Sequence, residues 1–126
     1  ARLIDAPYFV LIKSRTGDRE VSVTLPDIKA FANRTAVLVD DIGSSGQTLV
    51  TAARALRSKG FEANRCIVIH ALFDRDVREI FGEQSVQIVS TDTVPHETNA
   101  IRLGAVLAKA IEDVRAGFDR THQTNQ

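Results

Sequence analysis

An acidic pair followed by a hydroxyl-rich loop is the part of this sequence best suited to chemistry. Asp40 and Asp41 end a short apolar run, and the segment GSSGQT (residues 43–48) follows after one intervening residue. Backbone N–H groups of a small-residue loop at the start of a helix attract phosphate. Carboxylates repel phosphate but suit sugar hydroxyls, or a metal ion held in part by those hydroxyls. The pattern therefore predicts a sugar-phosphate site.

The predicted phosphate contacts come from the loop and the first helical turn. They are Ser44, Ser45, Gly46, Gln47 and Thr48. Other loops fit less well, because no Gly-Lys-Ser/Thr follows, as in a Walker loop, and no G-x-G-x-x-G opens a dinucleotide fold. A phospho-receiver domain also has an acidic pair, but it needs a further Asp and a Lys at strand ends. Serines that only cap a helix would leave the acidic pair unexplained.

Strand and helix patterns alternate around this segment. Residues 36–39 are typical of a strand buried on both faces, and further strands are predicted at residues 65–71 and 86–90. From Gln47 the apolar period becomes helical, and Gly60 occupies the expected C-terminal position. The alternation predicts an α/β fold with a mainly parallel sheet flanked by helices. Such sheets bind ligands at the C-terminal strand ends, where residues 40–48 fall.

The N-terminal part predicts a β-hairpin with a mobile loop. Residues 8–12 form an apolar β run, residues 14–19 are polar, and an alternating strand follows at residues 21–25. Lys13 and Arg15 stand two apart at the strand end. A pair of cations that swings in would stabilise the charge of a transferring phosphate group. On spacing alone, a solvated hairpin tip is the simpler interpretation.

Composition limits the remaining functions. With 126 residues, 44% of them apolar, the chain is expected to be one globular domain over residues 1–116, with a frayed tail at 117–126. The formal net charge is zero and no basic patch is visible, so nucleic acid is not an expected partner. No apolar run is long enough to span a membrane. Cys66 lies in an apolar run, as an inert buried thiol would, and a reducing cytoplasm fits it.

Two other groups stay open. His70 follows a strand and is either a structural, hydrogen-bonded histidine or a ligand contact. Residues 91–93 end another strand and suit either an anion or a neighbouring subunit. No Cys and His spacing indicates a zinc site. The sequence contains no methionine, so either Ala1 follows an excised initiator or the chain is a piece of a longer protein.

Four stretches resemble a known family. VLVDDIGSSGQT (residues 37–48) resembles the phosphoribosyl-diphosphate (PRPP) binding signature of type I phosphoribosyltransferases and PRPP synthetases. VLIKSR (10–15), IHALF (69–73) and TDTVPHETNAIRLGAVL (91–107) resemble segments of PRPP synthetases, in the same order. The resemblance covers residues 7–114 and corresponds to the second of the two similar domains of those enzymes.

The resemblance implies a type I phosphoribosyltransferase-like fold and a role in nucleotide biosynthesis. It implies transfer of diphosphate from ATP to ribose 5-phosphate, giving PRPP, with Mg²⁺ as cofactor, in a cytoplasmic homo-oligomer. Asp40 and Asp41 would hold the ribose hydroxyls, residues 44–48 the phosphate, and Lys13 and Arg15 would be catalytic. Much of the ATP site would come from the first domain and a neighbouring subunit, so the chain alone is expected to be inactive.

Departures from the family pattern keep two alternatives open. The usual Ser-Pro-Asp-x-Gly-Gly stretch is absent, and Asp74-Arg75 replaces a small Ser-Gly pair. One alternative is a non-catalytic PRPP-synthetase-like subunit that binds a sugar phosphate and regulates a partner. The other is a small phosphoribosyltransferase that uses PRPP, although no hood segment for a nucleobase is visible.

Overall fold

The computed structural model describes residues 2–16, 20–31, 34–61, 64–74, 76–81 and 86–123. Within these residues, a β-hairpin is followed by a four-stranded parallel sheet whose strand order is β3-β4-β5-β6. The predicted α/β class, a mainly parallel sheet flanked by helices, is confirmed. The strands are β1 (Ile12–Thr16), β2 (Glu20–Thr24), β3 (Ala36–Gly43), β4 (Asn64–Ala71), β5 (Val86–Thr91) and β6 (Asn99–Ile101). The helices are α1 (Gln47–Ser58), α2 (Val77–Phe81) and α3 (Gly104–Gln123), with single 3-10 turns at Arg2–Ile4 and Lys29–Phe31.

Helix α1 packs on one face of the sheet, as its apolar period predicts. Its buried side chains join Leu38, Cys66 and Val68 of the strands in one core. The helix ends as expected, because Gly60 has a left-handed φ of 88° and its N–H donates to the Arg57 carbonyl. The buried residues of α1 are Leu49, Val50, Ala52, Ala53 and Leu56.

On strand β3, the opposite face of the sheet is exposed. Val37 and Val39 of β3 are 50% and 70% exposed, so the prediction that residues 36–39 are buried on both faces is wrong. Helix α3 also has an apolar stripe, and this stripe is solvent-facing: Val106 is 64% and Ile111 68% exposed. An apolar face on an element therefore does not by itself show that the face is buried.

The N-terminal hairpin starts later than its apolar pattern predicts. The strand expected at residues 8–12 is wrong, because residues 8–11 are not in a strand and β1 begins at Ile12. The polar residues Ser14 and Thr16, expected in a loop, pair with β2 instead. The predicted mobile tip falls at residues 17–19, outside the described part of the chain. Val23 and Leu25 pack against the core and attach the hairpin to α1.

The C-terminal part contains one short strand that the sequence pattern missed. β6 is not among the strands predicted from the sequence, and it pairs with β5 across a register shift at Ser90 and Thr91. Helix α3 then runs to Gln123, and the predicted domain boundary at residue 116 stays a prediction. Among the described residues, no helix is long and apolar enough to cross a membrane.

Candidate functional site

The acidic pair lies within β3, and the strand continues for two residues beyond Asp41. Asp40 is half-buried and Asp41 is exposed. Their carboxylates accept hydrogen bonds from the next backbone N–H groups, Asp41 N to Asp40 Oδ1 at 3.1 Å and Ile42 N to Asp41 Oδ1 at 2.9 Å. Both carboxylates are therefore held close to the backbone at the C-terminal edge of the sheet.

Two glycines shape the loop after β3. A β-carbon on Gly43 would lie 2.5 Å from Phe73 Cζ, and one on Gly46 would clash with Ile80 Cγ2. Gly46 also has a left-handed φ of 72°, which side chains disfavour. Phe73 and Ile80 thus press against the loop, one before α2 and one within it. A larger residue at either glycine would force the loop or the facing side chain to shift.

The hydroxyl-bearing residues lie between and after these glycines. Ser44 and Ser45 are exposed, whereas Gly43 and Gly46 are buried. Gly46 is the N-cap of α1 and its carbonyl accepts from Val50 N at 2.9 Å. No side chain caps this helix start, so the positive end of a twelve-residue helix opens beside two exposed hydroxyls. Of the other predicted contacts, Gln47 is exposed and Thr48 is half-buried.

The end of β4 lies directly beside the acidic strand. The register pairs Ile42 with His70 and Gly43 with Ala71, and Leu72 N donates to the Gly43 carbonyl at 2.8 Å. His70 is half-buried, and its Nδ1 lies 2.9 Å from Thr93 Oγ1. His70 is therefore hydrogen-bonded within the protein and also adjacent to the predicted sugar site. The two roles considered for it are compatible.

A second polar network, which the sequence did not predict, joins β5 to the loop before β6. Asn99 Nδ2 donates to Ser90 Oγ at 2.9 Å, and Ser90 Oγ lies 2.8 Å from Thr98 Oγ1. Thr98 Oγ1 is in turn 2.8 Å from His96 Nδ1. The His96 ring lies 5.5 Å from the Phe73 ring, so this network supports the residue that presses on Gly43. The density of hydroxyl and amide groups at residues 90–99 was its only sequence signal.

Cys66 is completely buried in the core beneath this site. Burial, with a smaller contribution from the negative charge of Asp40, raises the pKa of the Cys66 thiol to about 12. The thiol is therefore uncharged and unreactive at neutral pH. The prediction that Cys66 is buried is confirmed.

Lys13 and Arg15 lie in β1, where their backbones pair with Val23 and Val21. They are strand residues and not loop residues, and their side chains are outside what the structure describes. The neighbouring strand β2 contacts α1, the helix that begins at the predicted phosphate loop. Among the described residues, no group of three or more His, Cys, Asp or Glu side chains could hold a metal ion.

Comparisons with known proteins agree with this geometry. The sequence profile of the phosphoribosyl transferase domain family matches residues 1–107. A ribose-phosphate pyrophosphokinase of Methanopyrus kandleri is 32% identical over 115 residues, 90% of this chain and 39% of the relative. Proteins of the same name from Haemophilus ducreyi and Thermoplasma acidophilum are 28% and 32% identical, covering 94% and 88% of this chain.

The alignments also show how much of each relative is matched. They cover 42% of the Haemophilus ducreyi protein and 38% of the Thermoplasma acidophilum protein, so the chain spans about two fifths of the length of these relatives. The resemblance to PRPP synthetases over most of this chain is confirmed. The family profile matches 107 consecutive residues, and the parallel sheet carries the acidic pair and the hydroxyl-rich loop at its C-terminal edge. The chain therefore belongs to the phosphoribosyl transferase domain family.

Proposed function

We propose that this chain is the ribose-5-phosphate-binding half of a ribose-phosphate diphosphokinase. One observation carries the proposal. Ser44 and Ser45 are exposed between two glycines that have no room for a side chain, at the open start of α1 and next to the acidic pair. The loop offers donors and partial positive charge to a phosphate, while Asp40 and Asp41 offer acceptors to sugar hydroxyls.

In the proposed reaction, the 1-hydroxyl of ribose 5-phosphate attacks the β-phosphorus of ATP. A bond forms between that oxygen and the β-phosphorus. The bond between the β-phosphorus and the oxygen that bridges it to the α-phosphate breaks, and AMP leaves as the attacking hydroxyl loses its proton. Residues 44–48 hold the 5-phosphate, and Asp40 and Asp41 orient the ribose. Lys13 and Arg15 stabilise charge on the transferring group.

A bound Mg²⁺ would neutralise charge on the diphosphoryl oxygens. The described residues offer two adjacent carboxylates, Asp40 and Asp41, and no larger cluster of ligands. That set suits an ion held mainly by substrate oxygens and water. The ATP site is proposed to lie largely on another domain and a neighbouring subunit of a cytoplasmic homo-oligomer.

Calorimetric titration tests the binding site. Ribose 5-phosphate should bind the wild-type chain, and Ser45→Asp should abolish binding because a carboxylate replaces a donor inside an anion site. The matched control is Gln87→Glu, which adds a similar charge at an exposed position of β5, away from the C-terminal strand ends. Equal affinity in wild type and Ser45→Asp would remove the loop from the site.

An assay of AMP release separates binding from catalysis. The isolated chain should show no turnover with ATP and ribose 5-phosphate, because most of the proposed ATP site is elsewhere. Turnover of about 1–100 per second, the range of ordinary kinases, would mean that the chain is a complete enzyme. A chain that binds PRPP and transfers its phosphoribosyl group to a base would favour the phosphoribosyltransferase alternative.

A further inference from the structure

Helix α3 is the longest of the three described helices, yet none of its described side chains is buried. Every residue from Gly104 to Ala116 is exposed, whereas the shorter helix α1 buries five side chains. Helices in proteins owe most of their stability to the packing of an apolar face. The apolar face of α3 is therefore expected to pack against another apolar surface. Its exposed members are Val106, Leu107, Ile111 and Val114.

The face of the sheet opposite α1 is a second apolar surface. Val39, Ile67 and Val89 stand opposite one another in the register of three neighbouring strands. They alternate with core residues such as Cys66 and therefore point away from α1. The apolar members of this sheet face, each exposed or half-buried, are Val37, Val39, Ile67, Ile69 and Val89.

No helix of the described part of the chain covers this sheet face. Helices α1 and α2 both contribute to the core on the other face, and α3 buries nothing. Parallel sheets are almost always covered by helices on both faces. The same chain thus carries an apolar sheet face that lacks a helix and an apolar helix that lacks a surface.

Two hydrogen bonds hold α3 away from its own sheet. Asp92 N donates to the Ile101 carbonyl at 3.0 Å, and Leu103 N donates to Asp92 Oδ1 at 3.0 Å. Asp92 thus fixes the end of β6 and the residue before α3, and with them the direction in which the helix leaves the sheet. In that direction no described side chain of α3 reaches the core. A helix held in this way can cover the sheet face of another molecule, but not that of its own.

We propose that two copies of this chain associate by reciprocal exchange, with the apolar face of each α3 lying on the uncovered sheet face of the other copy. This inference goes beyond the proposed function and does not depend on it. Fully burying one Val, Leu or Ile removes on the order of 100 Å² of apolar surface from water. The side chains of both faces are partly exposed, so the two contacts together bury on the order of 1,000 Å², enough for a specific interface.

The charges around the apolar face of α3 suit a protein surface better than a lipid surface. Helices that lie on membranes carry mainly Lys and Arg on their polar side. On the sheet face, exposed Arg65 stands opposite Val37 in the register and complements Asp113, which follows Val106 by one heptad on α3. Between residues 104 and 116, α3 carries two basic and two acidic side chains, Lys109, Arg115, Glu112 and Asp113.

Light scattering during size-exclusion chromatography tests the assembly. Wild type should be a dimer at about 100 µM, as an interface of this size allows. Ile111→Asp places a charge on the apolar face of α3, and Val39→Asp places one on the sheet face. Each should weaken dimerisation by about a thousandfold, because every dimer contains the change twice and each loss is on the scale of a central interface residue. The matched control is Glu112→Lys, on the opposite side of α3, which should leave the dimer intact.

A mixture of the two disrupting variants separates exchange from other modes of pairing. Ile111→Asp keeps an intact sheet face and Val39→Asp keeps an intact helix, so one of the two contacts can form between them and the mixture should regain dimers. Recovery also shows that both variants fold. If Val39→Asp alone loses its thermal transition, Val39→Thr keeps the β-branched shape and takes its place.

Four results overturn the inference. Direct pairing of two α3 helices would leave Val39→Asp dimeric, and direct pairing of two sheet faces would leave Ile111→Asp dimeric. A mixture of folded variants that stays monomeric excludes reciprocal contacts. Wild type that stays monomeric at the same concentration excludes the dimer, whether or not it floats with phosphatidylserine vesicles.

Discussion

The loop at residues 43–46 and the β1–β2 hairpin both carry predicted site residues, but the fold holds them differently. Phe73 and Ile80 press on the loop, and the Gly43 carbonyl is bonded to Leu72 N. The hairpin forms a separate two-stranded sheet that meets the core through β2, and such a sheet is only marginally stable alone. The groups proposed to bind the substrate are thus fixed by packing, whereas those proposed to act during transfer are on an element freer to move.

The largest expected effect comes from the hairpin and appears in turnover. In the complete enzyme, Lys13→Ala and Arg15→Ala should each lower kcat by about two to three orders of magnitude, the scale seen when a preorganised charge stabiliser is lost. KM should change little, because these contacts form with the transferring group and not with the resting substrate. Steady-state kinetics on the full-length protein measure both.

A surface cation on another element provides the control for the hairpin. Lys109 is exposed and pairs with Asp113 on α3, so Lys109→Ala removes a charge without touching the proposed site. It should leave kcat unchanged. If Lys13→Ala instead raises KM at constant kcat, the hairpin binds the phosphate groups of the substrate before transfer. The proposed difference in role between the hairpin and the loop then disappears.

The next largest expected effect is on the free energy of unfolding and comes from a change in the loop. Gly46→Ala should lower the free energy of unfolding by about 2–4 kcal/mol, because left-handed strain adds to the clash with Ile80. Gly60→Ala is the matched control, since Gly60 has a φ of 88° but no atom within 4 Å of an added β-carbon. It should cost about 1–2 kcal/mol from the same strain alone.

Denaturant titration of both glycine variants gives the contribution of Ile80 as their difference. Only Gly46→Ala should also weaken ribose 5-phosphate, because only it moves the phosphate loop. Equal losses of stability in the two variants would show that Ile80 yields to the added methyl group, and the loop would then be less firmly held than its contacts indicate.

Sequence reasoning located the loop but could not explain its glycines. Gly, Ser and the change of apolar period at Gln47 are local signals, so strand, loop and helix were predictable from residues 36–60. Phe73 and Ile80 touch the loop from about thirty residues further along the chain, and no local pattern reports such contacts. In the hairpin, by contrast, the local pattern itself assigned the strand to the wrong residues. The apolar residues Tyr8 and Val10 resemble a strand but are exposed, while the polar residues after them pair with β2.

The acidic pair should affect ligand affinity more than folding. Asp40→Ala and Asp41→Ala should each weaken ribose 5-phosphate about tenfold to a hundredfold, the range for a hydrogen bond to a charged group. Inorganic phosphate should bind the variants at least as well as wild type, because one repelling charge is removed. Thermal melts without ligand should show unchanged or raised stability. A large drop in melting temperature would make these carboxylates structural, and a parallel loss of phosphate would place them outside the sugar end.

The smallest effect tests how closely Asp40 is coupled to the core beneath the loop. The pKa of the Cys66 thiol is raised from 9.0 to about 12 in the folded protein. Below pH 9 the thiol is protonated in both states, but above it the unfolded chain loses a proton that the folded chain keeps. The free energy of unfolding should therefore fall by about 1.4 kcal/mol per pH unit above pH 9 through Cys66.

A comparison between variants of the pH slope of the free energy of unfolding separates the contribution of Cys66 from that of the other groups that titrate at alkaline pH. Cys66→Ala should unfold with a pH slope shallower than wild type by about 1.4 kcal/mol per unit. Asp40→Asn should reduce the slope only near its upper end, because burial is the larger cause of the raised pKa and remains in that variant. Denaturant titrations at several alkaline pH values measure the slopes. If wild type and Cys66→Ala lose stability in parallel, the thiol reaches solvent before unfolding, and the core under Asp40 opens more easily than its burial indicates.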